Sequence, residues 1–199
     1  MRILNTPMVC LSLVAFGLMG DLAFGQEWAE SYRKDYKPEH GTPQERLKRD
    51  VKRSLGQPAP TLVFQNIRTG RWDTLSSLRG KVVLLNSWST ACSPCVGEMP
   101  DLSRLQTQYG DRGLVVLTVS SQDKGTVSEF LDRTKIKVGG IDAVVPWTNL
   151  VWPFQATFNP SGYIIDRNGL VRAFLTGQKS YETLRKTILP FVRRRHRHH

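Results

Sequence analysis

Lys81 to Trp88 (KVVLLNSW) is an apolar run that leads almost at once into Cys92-Ser93-Pro94-Cys95. Paired valines and leucines without alternation mark a strand buried on both faces. The pattern from Cys92 to Tyr109, stopped by Gly110, reads as a helix. Two cysteines one turn apart therefore sit where a central strand hands over to a helix start. Backbone N–H groups and the helix dipole favour negative charge there. The thiolate is the reactive form of cysteine, so Cys92 is expected to be acidified and to act as the nucleophile. A free thiol near pKa 8.5 is only about 3% ionised at pH 7, whereas one lowered to about 7 is half ionised. Cys95 lies a turn later on the same helix face, placed to resolve a mixed disulfide. Pro94 falls in the first turn, where its missing N–H has no helical partner to lose.

Other readings of the pair remain open at this point. A structural disulfide closing four residues gains only about 2 kcal/mol in the chain-entropy model, against roughly 3 for a 15-residue loop. A metal site has two of its four ligands, with only His40 and the terminal histidines in reserve. Two inert cysteines are the third reading.

The remaining chain organises around this junction. Hydrophobic residues make up 40% and charged residues 23%, enough apolar content for a core. Thr42-Pro43-Gln44-Glu45 is a capping box with proline at the first helical position. It opens a short basic helix to Leu55, with Leu47, Val51 and Leu55 as a narrow docking stripe. Strands are expected at Thr61–Ile67, Arg71–Leu75, Gly113–Ser120, Tyr163–Asp166 and Leu170–Phe174, and helices at Thr126–Thr134 and from Ser180 to about Val192, the last interrupted by Pro190. Strands alternating with helices imply an α/β fold, a central sheet with helices on both faces. The hairpin at Asn168-Gly169 makes that sheet mixed.

Both termini carry targeting-like signals. Arg2 precedes an apolar run from Met8 to Gly20, and Ala23-Phe24-Gly25 offers a cleavage site. The run is shorter than the roughly 20 residues a membrane-spanning helix needs. Residues 1–25 therefore read as a cleaved signal peptide, with an uncleaved membrane anchor as the alternative and Cys10 inside the segment. The mature chain then holds only the Cys92/Cys95 pair, in a periplasmic or secreted setting where disulfides persist. Residues 26–56 form a charged arm with the short helix, residues 57–192 the folded domain, and residues 193–199 a basic tail. Arg193, Arg194, Arg195 and Arg197 contribute four of the net +11 charges. Such a tail reads as a solvated end, with attraction to an anionic membrane surface and metal capture by His196, His198 and His199 as alternatives. No nucleic-acid-binding motif accompanies it, so nucleic acid is not expected as a partner.

Gly80 to Trp88, Cys92-Ser93-Pro94-Cys95, Glu98-Met99-Pro100 and Gln57-Pro58-Ala59-Pro60 together resemble the TlpA/ResA-type thioredoxins, exported thiol–disulfide oxidoreductases. Pro160 to Gly169 (PSGYIIDRNG) resembles the family segment that begins with a cis-proline. The likeness covers roughly residues 56–190. It implies a thioredoxin fold with an added N-terminal hairpin and an inserted segment before the last hairpin. It further implies Trp88 as a floor beneath the site, and Asn159 and Pro160 against the disulfide, with Ser93 and Pro94 completing the motif. Glu98 is either a proton relay or an ordinary exposed helix charge. Two sites depart from the family pattern, and a third departs from thioredoxin itself, as TlpA-type members also do. Ala91 stands where an aromatic is usual, Phe158-Asn159 replace a small pair, and Asn86 occupies the place of the buried acid of thioredoxin. Trp147, Trp152, Phe154 and Phe158 form either an apolar rim for a docked peptide or the core of the inserted segment.

The resemblance implies reduction rather than oxidation of protein disulfides, with apocytochrome thiols among the substrates and a membrane carrier as electron donor. The disulfide itself carries the electrons, so no dissociable cofactor and no metal are expected. One alternative is a peroxiredoxin-type peroxidase. Ser89 fits that motif, but Leu85 occupies its proline position. The other is a copper-binding or copper-delivery module, for which the domain core supplies no histidine.

Overall fold

The computed structural model describes residues 42–146 and 159–192. The signal segment, the arm before Thr42, the aromatic group Trp147 to Phe158 and the tail after Val192 lie outside the described residues. The chain enters through helix α1 (Pro43–Ser54). Its capping box forms as the sequence requires: the Thr42 N–H donates to Glu45 Oε2 (2.7 Å), and the Glu45 N–H donates to Thr42 Oγ1 (3.3 Å). Strands β1 (Val63–Asn66) and β2 (Trp72–Thr74) pair antiparallel, and a short 3-10 turn over Leu75–Leu78 leads to β3 (Val82–Ser87). Helix α2 (Ser93–Tyr109) then connects to β4 (Leu114–Ser120), and helix α3 (Lys124–Thr134) to β5 (Ile141–Val144). Strands β6 (Ser161–Ile165) and β7 (Val171–Thr176) form the last hairpin, and helix α4 (Tyr181–Val192) ends the domain.

The seven strands among the described residues join one sheet in the order β2-β1-β5-β4-β3-β6-β7. The pairs β3–β4 and β4–β5 are parallel and the others antiparallel, so the sheet is mixed. Its register sends Val82 and Leu84 of β3 to one face and Val83 and Leu85 to the other, all four buried. Helices α2, α3 and α4 cover the first face with Met99, Leu102, Leu105, Val127, Leu184 and Ile188. Helix α1 stands on the second, where the charge of Asp50 adds to burial in raising the pKa of the Tyr163 phenol. Among the described residues no helix is long and apolar enough to cross a membrane.

Two expectations need correction. No strand was expected between α3 and β6, yet β5 pairs with both β4 and β1. Asp142 breaks its apolar pattern, but the acid is tolerated inside because Thr118 Oγ1 donates to its Oδ1 (2.8 Å) and Arg68 reaches its Oδ2 (3.4 Å). Pro190 does not interrupt α4, which runs through it to Val192. Burial of Leu184, Ile188 and Val192 offsets the single intrahelical bond that proline forfeits.

Candidate active site

The site is built where β3 ends. The Trp88 N–H donates to the Val119 carbonyl (3.0 Å), which ties the strand exit to β4. A turn follows, closed by the Cys92 N–H on the Ser89 carbonyl (3.1 Å). Cys92 is the N-cap of α2, and its Sγ accepts from the Cys95 N–H (3.3 Å). The two cysteines are bonded, with S–S 2.04 Å and Cα–Cα 5.3 Å. Their environments differ. Cys95 is 1% exposed and packs among Trp88, Met99 and Leu102, whereas Cys92 is half-buried beside exposed Ser93 and Pro94. Cys92 keeps exposed surface, and Cys95 has almost none. Trp88 is 2% exposed and meets Phe130 at a ring separation of 5.8 Å. It lies in the same core cluster as Cys95, as a floor residue should.

Glu98 is not a surface charge. It is 2% exposed, three residues after Cys95 on the same helix face. Its Oε1 accepts from the Lys179 N–H (2.8 Å) and its Oε2 from Asn86 Nδ2 (3.1 Å). Burial raises its pKa above the ordinary carboxyl value. Those two bonds and the Lys179 charge oppose the rise without cancelling it. Asn86 therefore does not leave the interior without an acid. It pairs with one supplied by the next helix.

The register of β3 with β6 sets Ser87 opposite Ser161, which brings Asn159 and Pro160 to the same end of the sheet. The Asn159–Pro160 peptide is cis, Pro160 is buried, and Ser87 Oγ donates to Asn159 Oδ1 (3.0 Å). Pro160, Ser161, Asn86 and Glu98 line one small crevice. Cys92, Cys95, Trp88, Ser93, Pro94 and Glu98 thus gather around the start of α2, with Asn159 and Pro160 on the neighbouring strand entry. Among the described residues no group of three or more His, Cys, Asp or Glu side chains could hold a metal ion.

Sequence reasoning passed over Gln122 and Lys179. Gln122 bonds the turn before Cys92, and Lys179 presents its N–H to Glu98. Both contacts join residues far apart in the chain. The polar pair Asn86-Ser87, interrupting an apolar strand, was the one local signal that polar partners awaited there.

Comparison with known proteins agrees with this geometry. The profile of the AhpC/TSA family matches residues 55–174. The chain is 33% identical over 138 residues to the thiol-disulfide oxidoreductase ResA of Geobacillus kaustophilus, covering 67% of this chain and 75% of that protein. It is 29% identical over 133 residues to the thioredoxin-like protein YneN of Bacillus subtilis, covering 65% and 76%. Among solved structures, a thiol:disulfide interchange protein DsbE from Chlorobium tepidum superposes with a TM-score of 0.63 at 26% identity, covering 70% of this chain and 98% of that one. The family match over residues 55–174, together with the likeness to ResA, gives the assignment: the chain belongs to the AhpC/TSA family and is a thioredoxin-like thiol–disulfide oxidoreductase of the ResA type.

Proposed function

We propose that this enzyme works outside the cytoplasm as a reductant of protein disulfides, with Cys92 as attacking and Cys95 as resolving thiol. The observation that carries the assignment is the asymmetry of the pair: Cys92 caps α2 and is reachable, and Cys95 is 1% exposed. In the reduced enzyme the Cys92 thiolate attacks a substrate disulfide, forming a mixed disulfide and releasing one substrate thiolate. Cys95 then attacks Cys92 Sγ. The second substrate thiol leaves, and the Cys92–Cys95 disulfide forms. Two electrons have passed to the substrate, and an external dithiol, for which a membrane donor is the candidate, restores the enzyme. The cysteine pair itself carries these electrons, and no dissociable cofactor takes part. Glu98, on the Cys95 face of α2 with a pKa raised by burial, is suited to take the Cys95 proton during resolution. Trp88 supports the pair from below, Ser93 and Pro94 form its exposed rim, and Asn159 and Pro160 offer the neighbouring backbone edge to substrate.

Residues 1–25 support export to the periplasm or beyond, and the arginine-rich end from Arg193 suits an anionic membrane surface. Protein thiols, apocytochrome c cysteines among them, are the substrate class that the family resemblance suggests.

Trapping tests the reading. Cys95→Ser, expressed with its leader, is expected to accumulate reducible adducts on non-reducing gels, because the mixed disulfide has lost its internal exit. Cys92→Ser is expected to accumulate few. Equal absence of adducts in two folded, exported variants overturns the assignment. Hydrogen peroxide consumption without insulin reduction would favour the peroxidase chemistry instead, and copper retained after purification would favour delivery.

A further inference from the structure

The turn that carries Cys92 is closed by one backbone hydrogen bond of its own, and its side chains add little. Ala91 is exposed and offers only a methyl group, and Ser89 and Thr90 are small and half-buried. The turn is nevertheless fixed at its corner by a side chain 32 positions further along the chain. Gln122, in the loop between β4 and α3, accepts from the Thr90 N–H at Oε1 (2.8 Å) and donates from Nε2 to Thr90 Oγ1 (3.0 Å). A backbone N–H can only donate, so the carboxamide orientation is dictated. The carboxamide is held in turn. Buried Ser120 donates from Oγ to Gln122 Oε1 (3.3 Å), and the Gln122 N–H donates back to Ser120 Oγ (3.3 Å). Ser120 is the last residue of β4, the central strand of the sheet.

We propose that Gln122 is a positioning residue for disulfide exchange: its carboxamide clamps Thr90 to the end of β4 and so holds Cys92 at the N-terminus of α2. Helix-terminal stabilisation of a negative charge falls off within the first turn. A cysteine on a loosened turn therefore spends part of its time where the thiolate is less favoured and less well aimed. The groups that surround the turn (Ser89, Ala91, Ser93, Pro94, Ser120) are uncharged, as is Gln122. Asp123 and Lys124 follow Gln122, and Glu98 lies along α2; none of these changes when Gln122 is replaced by a neutral residue. A shift in Cys92 reactivity in such a variant then reports position rather than charge.

The test compares Gln122→Met, which keeps the volume and loses the hydrogen bonds, with Gln122→Ala. In both, the Thr90 amide is expected to exchange about fivefold faster or more, the worth of one hydrogen bond. The pH profile of Cys92 alkylation in the reduced protein, read by peptide-resolved mass spectrometry, is expected to move upward. Its rate at pH 7 should fall about threefold or more, at temperatures where both variants are fully folded. Faster Thr90 exchange with an unmoved Cys92 profile overturns the proposal, as does unchanged Thr90 exchange in both variants. The inference rests on Cys92 being the attacking thiol. Preferential alkylation of Cys95 in the unaltered protein overturns that reading, whereas unaltered preference with unmoved variant profiles overturns the Gln122 proposal alone.

Discussion

Glu98 keeps a carboxyl inside the protein because two donors, the Lys179 N–H and the Asn86 amide, each meet one of its oxygens. Glu98→Ala leaves the buried Asn86 amide and the half-buried Lys179 N–H without their partner. The Asn86 donor alone costs about 1–3 kcal/mol, and the part-buried Lys179 N–H adds less because water can reach it. Glu98→Gln can still accept from Lys179 and can donate to Asn86 once that amide turns over, so its loss at acid pH should stay below about 1 kcal/mol. The two proteins should also differ in pH dependence. The folded pKa of Glu98 lies above the ordinary 4.5, so the native state binds this proton more tightly than the unfolded chain. Its contribution is therefore undiminished below the unfolded value, and stability is lost as pH rises through the folded one. Urea midpoints taken from pH 4 to pH 8 should show the wild type losing ground to Glu98→Gln as pH rises; parallel curves would contradict the shift. The sequence brought Glu98 forward as a carboxyl two turns from Cys92. It could not decide between a relay and a surface charge, because the deciding donors come from β3 and from a loop 81 positions away. Gln122 escaped for the same reason: nothing local marks a glutamine as the clamp of a distant turn.

Elements were legible where periodicity and capping agreed. β3 and β4 announced themselves as unbroken apolar runs, α1 by its capping box, and α2 by the cysteine at its start and Gly110 at its end. β5 was not legible, because Gly139-Gly140 reads as a loop and Asp142 interrupts its apolar residues. The structure supplies the reason for that glycine pair. A Cβ on Gly140 would stand 2.1 Å from the Val116 carbonyl oxygen, so the chain must approach β4 bare before it can pair. Gly140→Ala is therefore expected to push β5 off β4 and to destabilise the domain by at least the 1–3 kcal/mol, roughly, of an overpacked core. Chemical denaturation measures this directly. Wild-type stability in Gly140→Ala would mean that β5 can slide without cost. Pro190 misled in the opposite sense. Local chemistry argued for a break, and the burial of α4 residues on both sides of it outweighed one missing bond.

The whole molecule determines what the cysteine pair can do, because folding and oxidation are linked. A disulfide that forms more favourably in the native protein than in its unfolded chain makes the oxidised protein harder to unfold by the same free energy. It also lowers the reduction potential, by about 30 mV for each 1.4 kcal/mol. Chain entropy alone, for a four-residue loop, favours the oxidised form by about 2 kcal/mol if the native state holds both sulfurs at bonding distance. Here the sheet does hold them. Trp88 is tied to β4, Cys95 is fixed in the core, and Cys92 caps the helix. An enzyme that reduces other disulfides should keep that advantage or extend it, since its own oxidised state must be the favoured end of the exchange. An oxidant must reverse it by stabilising the reduced form. The reducing direction therefore predicts that the oxidised protein unfolds at higher denaturant than the dithiol form, by about 2 kcal/mol or more. Paired denaturation curves, one with the disulfide intact and one in excess reductant, measure the difference, and a redox titration against glutathione supplies the matching potential. A reduced form more stable than the oxidised one would assign this enzyme to disulfide donation, with Cys92 and Cys95 in the same places and the electrons moving the other way.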